Sequence, residues 1–267
     1  MFMATDFRAE KNRRFAPGKP RGEEVNQLFT AVAPRYDLIN DLQSFGLHRL
    51  WKQRVIDLAR PRPGEHALDI CCGTGDLAVA LARRGVETVG LDFNETMLRL
   101  AEMRKSKAEY RSLGRDSLSG HCETAISKLR FVRGDAQQLP FPQDSFDIVT
   151  VGYGLRNLAS WETGLIEMHR VSRPGGRLLV LDFGKPDNRL WRVLFFGYLR
   201  LIVPLLGLLV SGQPGAYAYI LESLQRYPAQ RGVEQKMREL GLVNVRTINV
   251  LGGTMSINYG AKPVARG

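Results

Sequence analysis

From Gly64 onward the chain alternates short apolar runs with segments of helical period, the pattern of βα units that feed a largely parallel sheet. Residues 66–71 (HALDIC) predict a first strand, and residues 77–84 (LAVALARR) the helix that a tight glycine turn delivers. Residues 88–92 predict a second strand, followed by a helix from about residue 95 to residue 104. Third and fourth strands fall at residues 129–134 and 146–151. Within residues 161–172, Leu165, Ile166, Met168 and Val171 recur at helical spacing. Residues 176–182 predict a fifth strand, entered through the turn Pro174, Gly175, Gly176.

Residues 188–226 break this rhythm: they hold no strand-like run and read as two or three helices, a cap inserted before the sheet resumes. Residues 233–240 predict a helix ended by Gly241, and residues 245–250 and 255–259 flank Gly252 and Gly253 as a closing hairpin. The expected architecture is α/β, with a seven-stranded, mostly parallel sheet flanked by helices, helices ahead of it and a cap after the fifth strand. One domain accounts for residues 25–267, with the cap at about 188–228. Residues 1–24 are charged throughout and predict a basic, flexible tail without the apolar stretch of a secretory signal, so nothing in them directs export. Residues 104–128 are polar, basic and weakly periodic; they read as an exposed loop insertion, with a polyanion-binding loop as the alternative.

Composition narrows the class. Of 267 residues, 44% are hydrophobic and 24% charged, which excludes collagen-like, coiled-coil and wholly disordered chains. There are 38 Lys and Arg against 27 Asp and Glu, a formal net charge of +11. That charge permits nucleic-acid binding, but no aromatic-interleaved basic groove or RNA-binding motif accompanies it, so no nucleic-acid partner is expected. Cys71, Cys72 and Cys122 are odd in number with two adjacent, which suits no disulfide framework and fits a reducing cytosol. His48, His66, His121 and His169 are too scattered to suggest a metal site.

Residues 69–76 (DICCGTGD) lie between a predicted strand and helix, where glycines let the backbone approach a ligand that a Cβ would exclude. With Ala78 the run satisfies G-x-G-x-x-A, and Asp92 ends the next strand, where an acid grips ribose hydroxyls. A dinucleotide and another adenosine-type ligand both meet that description. Asp69 favours the second, because a carboxylate repels a pyrophosphate and attracts the ammonium group of a zwitterion. Asp135, following the third strand, is placed to accept a hydrogen bond from an adenine amine.

Asp69 to Gly75, Asp92, the Gly134-Asp135-Ala136 run with Leu139-Pro140-Phe141, and the Pro174-Gly175-Gly176 turn together resemble class I S-adenosylmethionine-dependent methyltransferases, which implies their Rossmann-like fold. Residues 36–51 (YDLINDLQSFGLHRLW) resemble the N-terminal signature of the quinone-ring C-methyltransferases of ubiquinone and menaquinone synthesis, the UbiE/MenG type. Gly154-Leu155-Arg156-Asn157, residues 170–186 and the cap run 217–223 (YAYILES) match its other signatures, so the resemblance spans about residues 28–262. It implies that S-adenosylmethionine is held by Asp69, Gly73, Thr74, Gly75, Asp92, Asp135, Ala136 and Gly152. It implies catalytic roles for Tyr36, Arg156 and Asn157, and acceptor contacts for His48, Tyr219 and Ser223. Asp182 and Gly184 stand where that family more often has Glu and Ser, and Gly152 where a serine is common.

Methylating an aromatic carbon requires a ring made nucleophilic by ionising an adjacent hydroxyl, whose ordinary pKa, like tyrosine's, is about 10. The site must stabilise an oxyanion and let a proton leave. Arg156, a planar fork of donors that never deprotonates, suits the first task, with a water carrying the proton toward Tyr36, Asp37 or His48. Residues 190–210 approach the length of a membrane span, but Arg192, Arg200 and Pro204 interrupt them, so a cap resting on a bilayer fits better than a span. The resemblance implies a polyprenyl hydroquinol substrate, peripheral contact with the inner face of the cytoplasmic membrane, and methylation of demethylmenaquinol, the ubiquinone precursor or both. The alternatives are a sister methyltransferase on another acceptor, a non-catalytic cofactor-binding subunit, and a nicotinamide dehydrogenase. A homodimer is the default expectation for oligomeric state.

Overall fold

Strand β1 (His66–Ile70) lies mid-sheet, and its alternate residues go to opposite faces, as the two-residue period of a strand requires: Leu68 and Ile70 join one apolar cluster, Ala67 another. The computed structural model describes residues 19–113, 126–211 and 214–264. Ahead of the sheet come helices α1 (Lys19–Val32), α2 (Tyr36–Ser44) and α3 (Leu47–Ala59). After β1 follow α4 (Asp76–Ala82), β2 (Glu87–Asp92), α5 (Glu95–Leu113), β3 (Arg130–Arg133), β4 (Phe146–Gly152), α6 (Trp161–Val171) and β5 (Ser172–Phe183). The cap is α7 (Arg189–Ser211) and α8 (Pro214–Arg226), and the chain closes with α9 (Ala229–Glu239), β6 (Val243–Val250) and β7 (Met255–Ala261).

The seven strands run in the order β3-β2-β1-β4-β5-β7-β6, parallel from β3 to β5, with β7 antiparallel to both neighbours. The fold is the expected one. Strand order reverses between β1 and β4, and a sheet of this kind opens a crevice at the carboxyl ends of those two strands. One face carries α3 and α4, whose Val55, Ile56, Leu77 and Leu81 pack on Ala67, Ile148, Leu179 and Leu181. The other carries α6 and α9, with Leu165, Met168, Val233 and Met237 against Val149, Val151, Leu178 and Val180. Cap residues Phe195, Leu199 and Val203 continue that second cluster, which ties the cap to the domain.

Three expectations need correction. The helix expected to stop near residue 104 continues to Leu113, so the first ten residues of the anticipated 104–128 loop are helical. Contacts distant in sequence explain it: Arg104 pairs with Asp37 and Asp76, and Ala108 packs with Val79, Ala82, Ile126 and Leu129. Residues 114–125 lie outside the described residues. The tail expected over residues 1–24 is helical from Lys19, with Pro20 in the first turn, where a missing N–H costs nothing; residues 1–18 lie outside the described residues. Finally, Pro174, Gly175 and Gly176 do not precede β5 but bulge within it, the register jumping from Phe146/Ser172 to Ile148/Arg177.

Asn94, at the start of α5, is buried and joins that helix to α1. Its Oδ1 accepts from Met97 N–H at 2.9 Å, while Nδ2 lies 2.7 Å from Asn26 Oδ1 and 2.8 Å from Thr30 Oγ1. Asn94→Ala removes a helix cap and strands those acceptors, so urea unfolding should show a loss of about 1–3 kcal/mol. Limited proteolysis should cut first within α1.

Candidate active site

Two cavities meet at the carboxyl ends of β1 and β4. The first, of about 490 Å³, runs along the glycine turn and is walled by Gly73, Asp92, Asp135, Ala136 and Gly152, with Asn26 and Phe29 of α1 opposite. The second, of about 360 Å³, lies under the cap between α2, α3 and α7 and is walled mostly by apolar and aromatic side chains. Phe29, Tyr36 and Tyr153 line both, so they stand where the two spaces join.

The glycine turn is held open from β2. Asp92 Oδ2 accepts Gly73 N–H at 2.8 Å and Oδ1 accepts Asn94 N–H at 2.8 Å. Burial pushes the Asp92 carboxyl above its usual range, although these backbone donors pull it down. A carboxylate has about four acceptor positions, so capacity remains for ribose hydroxyls. Gly73 adopts φ 54° and Gly75 φ 81°, both in the left-handed region that favours glycine. Only Gly73 lines the cavity; a Cβ on Gly75 would come within 2.8 Å of Phe131. A half-buried acid, bare glycine backbone and the Asp135 carboxylate beside buried Ala136 fit an adenosine-type ligand such as S-adenosylmethionine.

Three of the expected cofactor residues stand behind the wall instead. Asp69 is 1% exposed and accepts Thr150 Oγ1 at 2.7 Å. Burial pushes its carboxyl up to about 7, with Thr150 and Lys52 acting the other way. Thr74 is buried and donates its hydroxyl to Asp37 at 3.0 Å, so it braces the turn against α2. Gly75 serves packing. Nearby, Lys52 pairs with Asp76 at 2.6 Å, and burial lowers its ammonium pKa.

Around the second cavity, Arg156 is 7% exposed in a single-turn helix (Leu155–Asn157) after β4. Its Nη1 donates to Tyr153 O at 2.8 Å and Asn157 Oδ1 at 3.2 Å, its Nε lies 3.5 Å from Asp182 Oδ1, and its guanidinium sits 5.0 Å from the Phe183 ring centre. Asp182 is itself 2% exposed and also accepts Arg156 N–H at 3.3 Å and Phe183 N–H at 2.8 Å. Burial raises the Asp182 carboxyl and Arg156 opposes that rise. Asn157 faces the first cavity and fixes itself to Tyr153 O at 3.0 Å. The glycine at 184 follows from packing, since a Cβ there would lie 2.4 Å from Gly253 O.

Tyr36, His48 and Tyr219 line the second cavity. Ser223 does not: it is buried within α8 and donates to Ile220 O at 3.0 Å. Asp37 is turned away to Thr74 and Arg104, which removes it as a proton acceptor. Two residues that sequence reasoning passed over, Tyr153 and Phe29, are at the junction. A bulky residue between Gly152 and Gly154 at a strand end was the available signal for Tyr153.

His48 Nδ1 sits 2.9 Å from Ser44 Oγ, and burial, then Lys52, lower its pKa from 6.5 to about 4. The unfolded chain therefore binds a proton between those values that native His48 refuses, and this residue's contribution to stability, present above pH 6.5, is lost as pH falls toward 4. His48→Gln should flatten the decline of unfolding free energy between pH 6.5 and 4, read from urea titrations at stepped pH.

Comparison with known proteins agrees with this geometry. The family model described as "ubiE/COQ5 methyltransferase family" matches residues 18–262. The chain is 38% identical over 250 residues to the "Ubiquinone/menaquinone biosynthesis C-methyltransferase UbiE" of Stutzerimonas stutzeri, covering 92% of each chain. It is equally identical to the protein so named from Azotobacter vinelandii, over 92% of this chain and 93% of the relative. Among solved structures, a SAM-dependent methyltransferase from Thermotoga maritima superposes with a TM-score of 0.59 at 16% identity, over 88% of this chain and 99% of its own. One from Methanococcus maripaludis gives 0.57 at 17%, over 88% and 93%. The chain belongs to the ubiE/COQ5 methyltransferase family and is an S-adenosylmethionine-dependent methyltransferase.

Proposed function

We propose that this enzyme methylates a ring carbon of a polyprenylated hydroquinol in menaquinone or ubiquinone biosynthesis, with demethylmenaquinol as the favoured acceptor. The observation that carries the reading is the junction at Phe29, Tyr36 and Tyr153, where an apolar cavity meets the groove that suits the cofactor. When bound, S-adenosylmethionine supplies an electrophilic methyl group. The residues of the chain then have three tasks. The apolar walls exclude water, which strengthens each electrostatic contact inside. Arg156, fixed by Asp182 and by Tyr153 O, presents a permanent positive charge to the ring oxygen and lowers the cost of its ionisation. Tyr36 and neutral His48 line the path along which a water takes the proton away.

The cap supports a lipid acceptor and a peripheral site on the inner face of the cytoplasmic membrane. By length and composition, residues 189–208 of α7 could cross a membrane, yet Phe195, Leu199 and Val203 pack into the domain and Tyr198 donates to Gln43 O of α2 at 2.9 Å. Its outward side exposes Leu190, Val193, Leu201 and Leu205, and the helices ahead of the sheet add exposed Phe45 at 83% and Leu50 at 65%. Exposed Arg189 and Arg200 add positive charge there, which suits anionic headgroups. A tail drawn from the bilayer would enter the cavity between α2 and α7.

The decisive assay is anaerobic turnover with methyl-labelled S-adenosylmethionine, offering demethylmenaquinol and the demethylated ubiquinol precursor separately. Label on at least one quinol is expected; label on neither, with cofactor binding intact, refutes the reading. Arg156→Lys keeps the charge but loses the planar fork, and should lower kcat about a hundredfold. The membrane contact is tested on the outward side of α7: Val193→Asp with Leu201→Asp should abolish co-flotation with anionic vesicles while leaving S-adenosylhomocysteine affinity unchanged.

A further inference from the structure

Tyr153 follows β4 with φ 63°, a left-handed backbone that bulky residues rarely adopt and that persists only where the surroundings enforce it. The surroundings do so here. Its N–H donates to Leu181 O at 2.7 Å, and its carbonyl accepts from both Arg156 and Asn157. The ring lies 6.1 Å from that of Phe183, with Lys52 Nζ 5.8 Å from its centre. Every part of the residue is therefore held except its hydroxyl, which is buried and has no hydrogen-bond partner among the described residues. A buried hydroxyl left unpaired is costly, so its partner is to be sought in a ligand.

Tyr153 lines both cavities, so a ligand in either lies against this residue. S-adenosylmethionine has acceptors in its carboxylate, ribose and adenine, but at the junction, where the methyl must meet the ring carbon, it presents the sulfonium, which accepts no O–H, whereas a hydroquinol oxygen does. We propose that Tyr153 is a further catalytic residue, whose hydroxyl donates a hydrogen bond to the acceptor-ring oxygen that ionises, beside the Arg156 guanidinium. The proposal rests on the hydroquinol reading above. Burial pushes the Tyr153 phenol well above its ordinary range, with Tyr36 and Asp182 adding to the rise, so the side chain keeps its proton and acts as a donor throughout. Hydrogen bonds to an anion are stronger than those to its neutral form, so this one favours the ionised ring.

The test compares wild type with Tyr153→Phe, which keeps the ring and removes the donor. Two readouts are taken: the pH dependence of kcat with the quinol, and the ultraviolet titration of 2-methoxyphenol bound in the presence of S-adenosylhomocysteine. The apparent pKa of the bound phenol should rise by about one unit in the variant, and kcat at pH 7 should fall about tenfold. KM for the quinol and affinity for S-adenosylhomocysteine should hold, which separates the effect from a loss of packing. Unchanged pKa values with turnover retained would overturn the role of Tyr153 and leave the quinol reading standing. A wild type that neither methylates a quinol nor binds the phenol would overturn both.

Discussion

A guanidinium taken out of water must be matched by an opposite charge and by hydrogen-bond acceptors, and the acceptor side of this enzyme is arranged around that demand. Arg156 meets Asp182 from the end of β5, the carbonyl of Tyr153 and the amide of Asn157, with Phe183 beneath it. Each of those partners is itself fixed. Asp182 is buried and accepts two backbone N–H groups, and Tyr153 is pinned to β5 through Leu181 O. Removing Asp182 alone would strip a buried cation of this opposite charge, a change that costs far more than an ordinary surface ion pair is worth. The left-handed turn at Tyr153 is the geometric counterpart of that ion pair: it turns the carbonyl toward Arg156 and the ring toward the cavity.

The parallel sheet supplies the platform. Reversal of strand order between β1 and β4 brings the glycine turn and the Tyr153 turn side by side, so one crevice presents bare backbone on one side and aromatic walls on the other. The helices ahead of the sheet complete both spaces, α1 through Asn26 and Phe29, α2 through Tyr36. The cap then closes the apolar space from above. A polar nucleoside and an apolar ring can thus meet without sharing a solvent.

Local periodicity carried most of this architecture. Strands β1, β2, β4 and β5 alternate sides with residues such as Ala67 and Leu68, and α6 repeats its apolar positions, so each was readable without tertiary information. The second half of α5 was not, because Arg104 and Ala108 are held by Asp37, Asp76 and Ile126, which no local window contains. The Pro174 turn became a bulge for a similar reason: Gly175 N–H and Gly176 O pair with Lys262, far along the chain. At the site, spacing pointed to Gly73, Asp92 and Asp135 and the family resemblance added Gly152, all on the cavity wall, but neither distinguished them from Asp69 and Thr74 one layer behind. Burial depth is a property of the packed sheet. Tyr153 escaped notice because its importance lies in a backbone angle and in a hydroxyl unpaired among the described residues, neither of which has a sequence signature.

The Thr74 to Asp37 hydrogen bond joins the glycine turn to the helix that walls the other cavity, and Arg104 extends the link into α5. Thr74 belongs to the element that receives the nucleoside, and Asp37 directly follows Tyr36 at the junction. A displacement of the turn on binding one ligand would therefore be passed through this bond to the helix beside the other. Thermodynamic reciprocity then requires that the acceptor alter the affinity for the nucleoside by the same factor as the nucleoside alters affinity for the acceptor. A threonine and an aspartate that line neither cavity thus tie the wall of one pocket to the wall of the other.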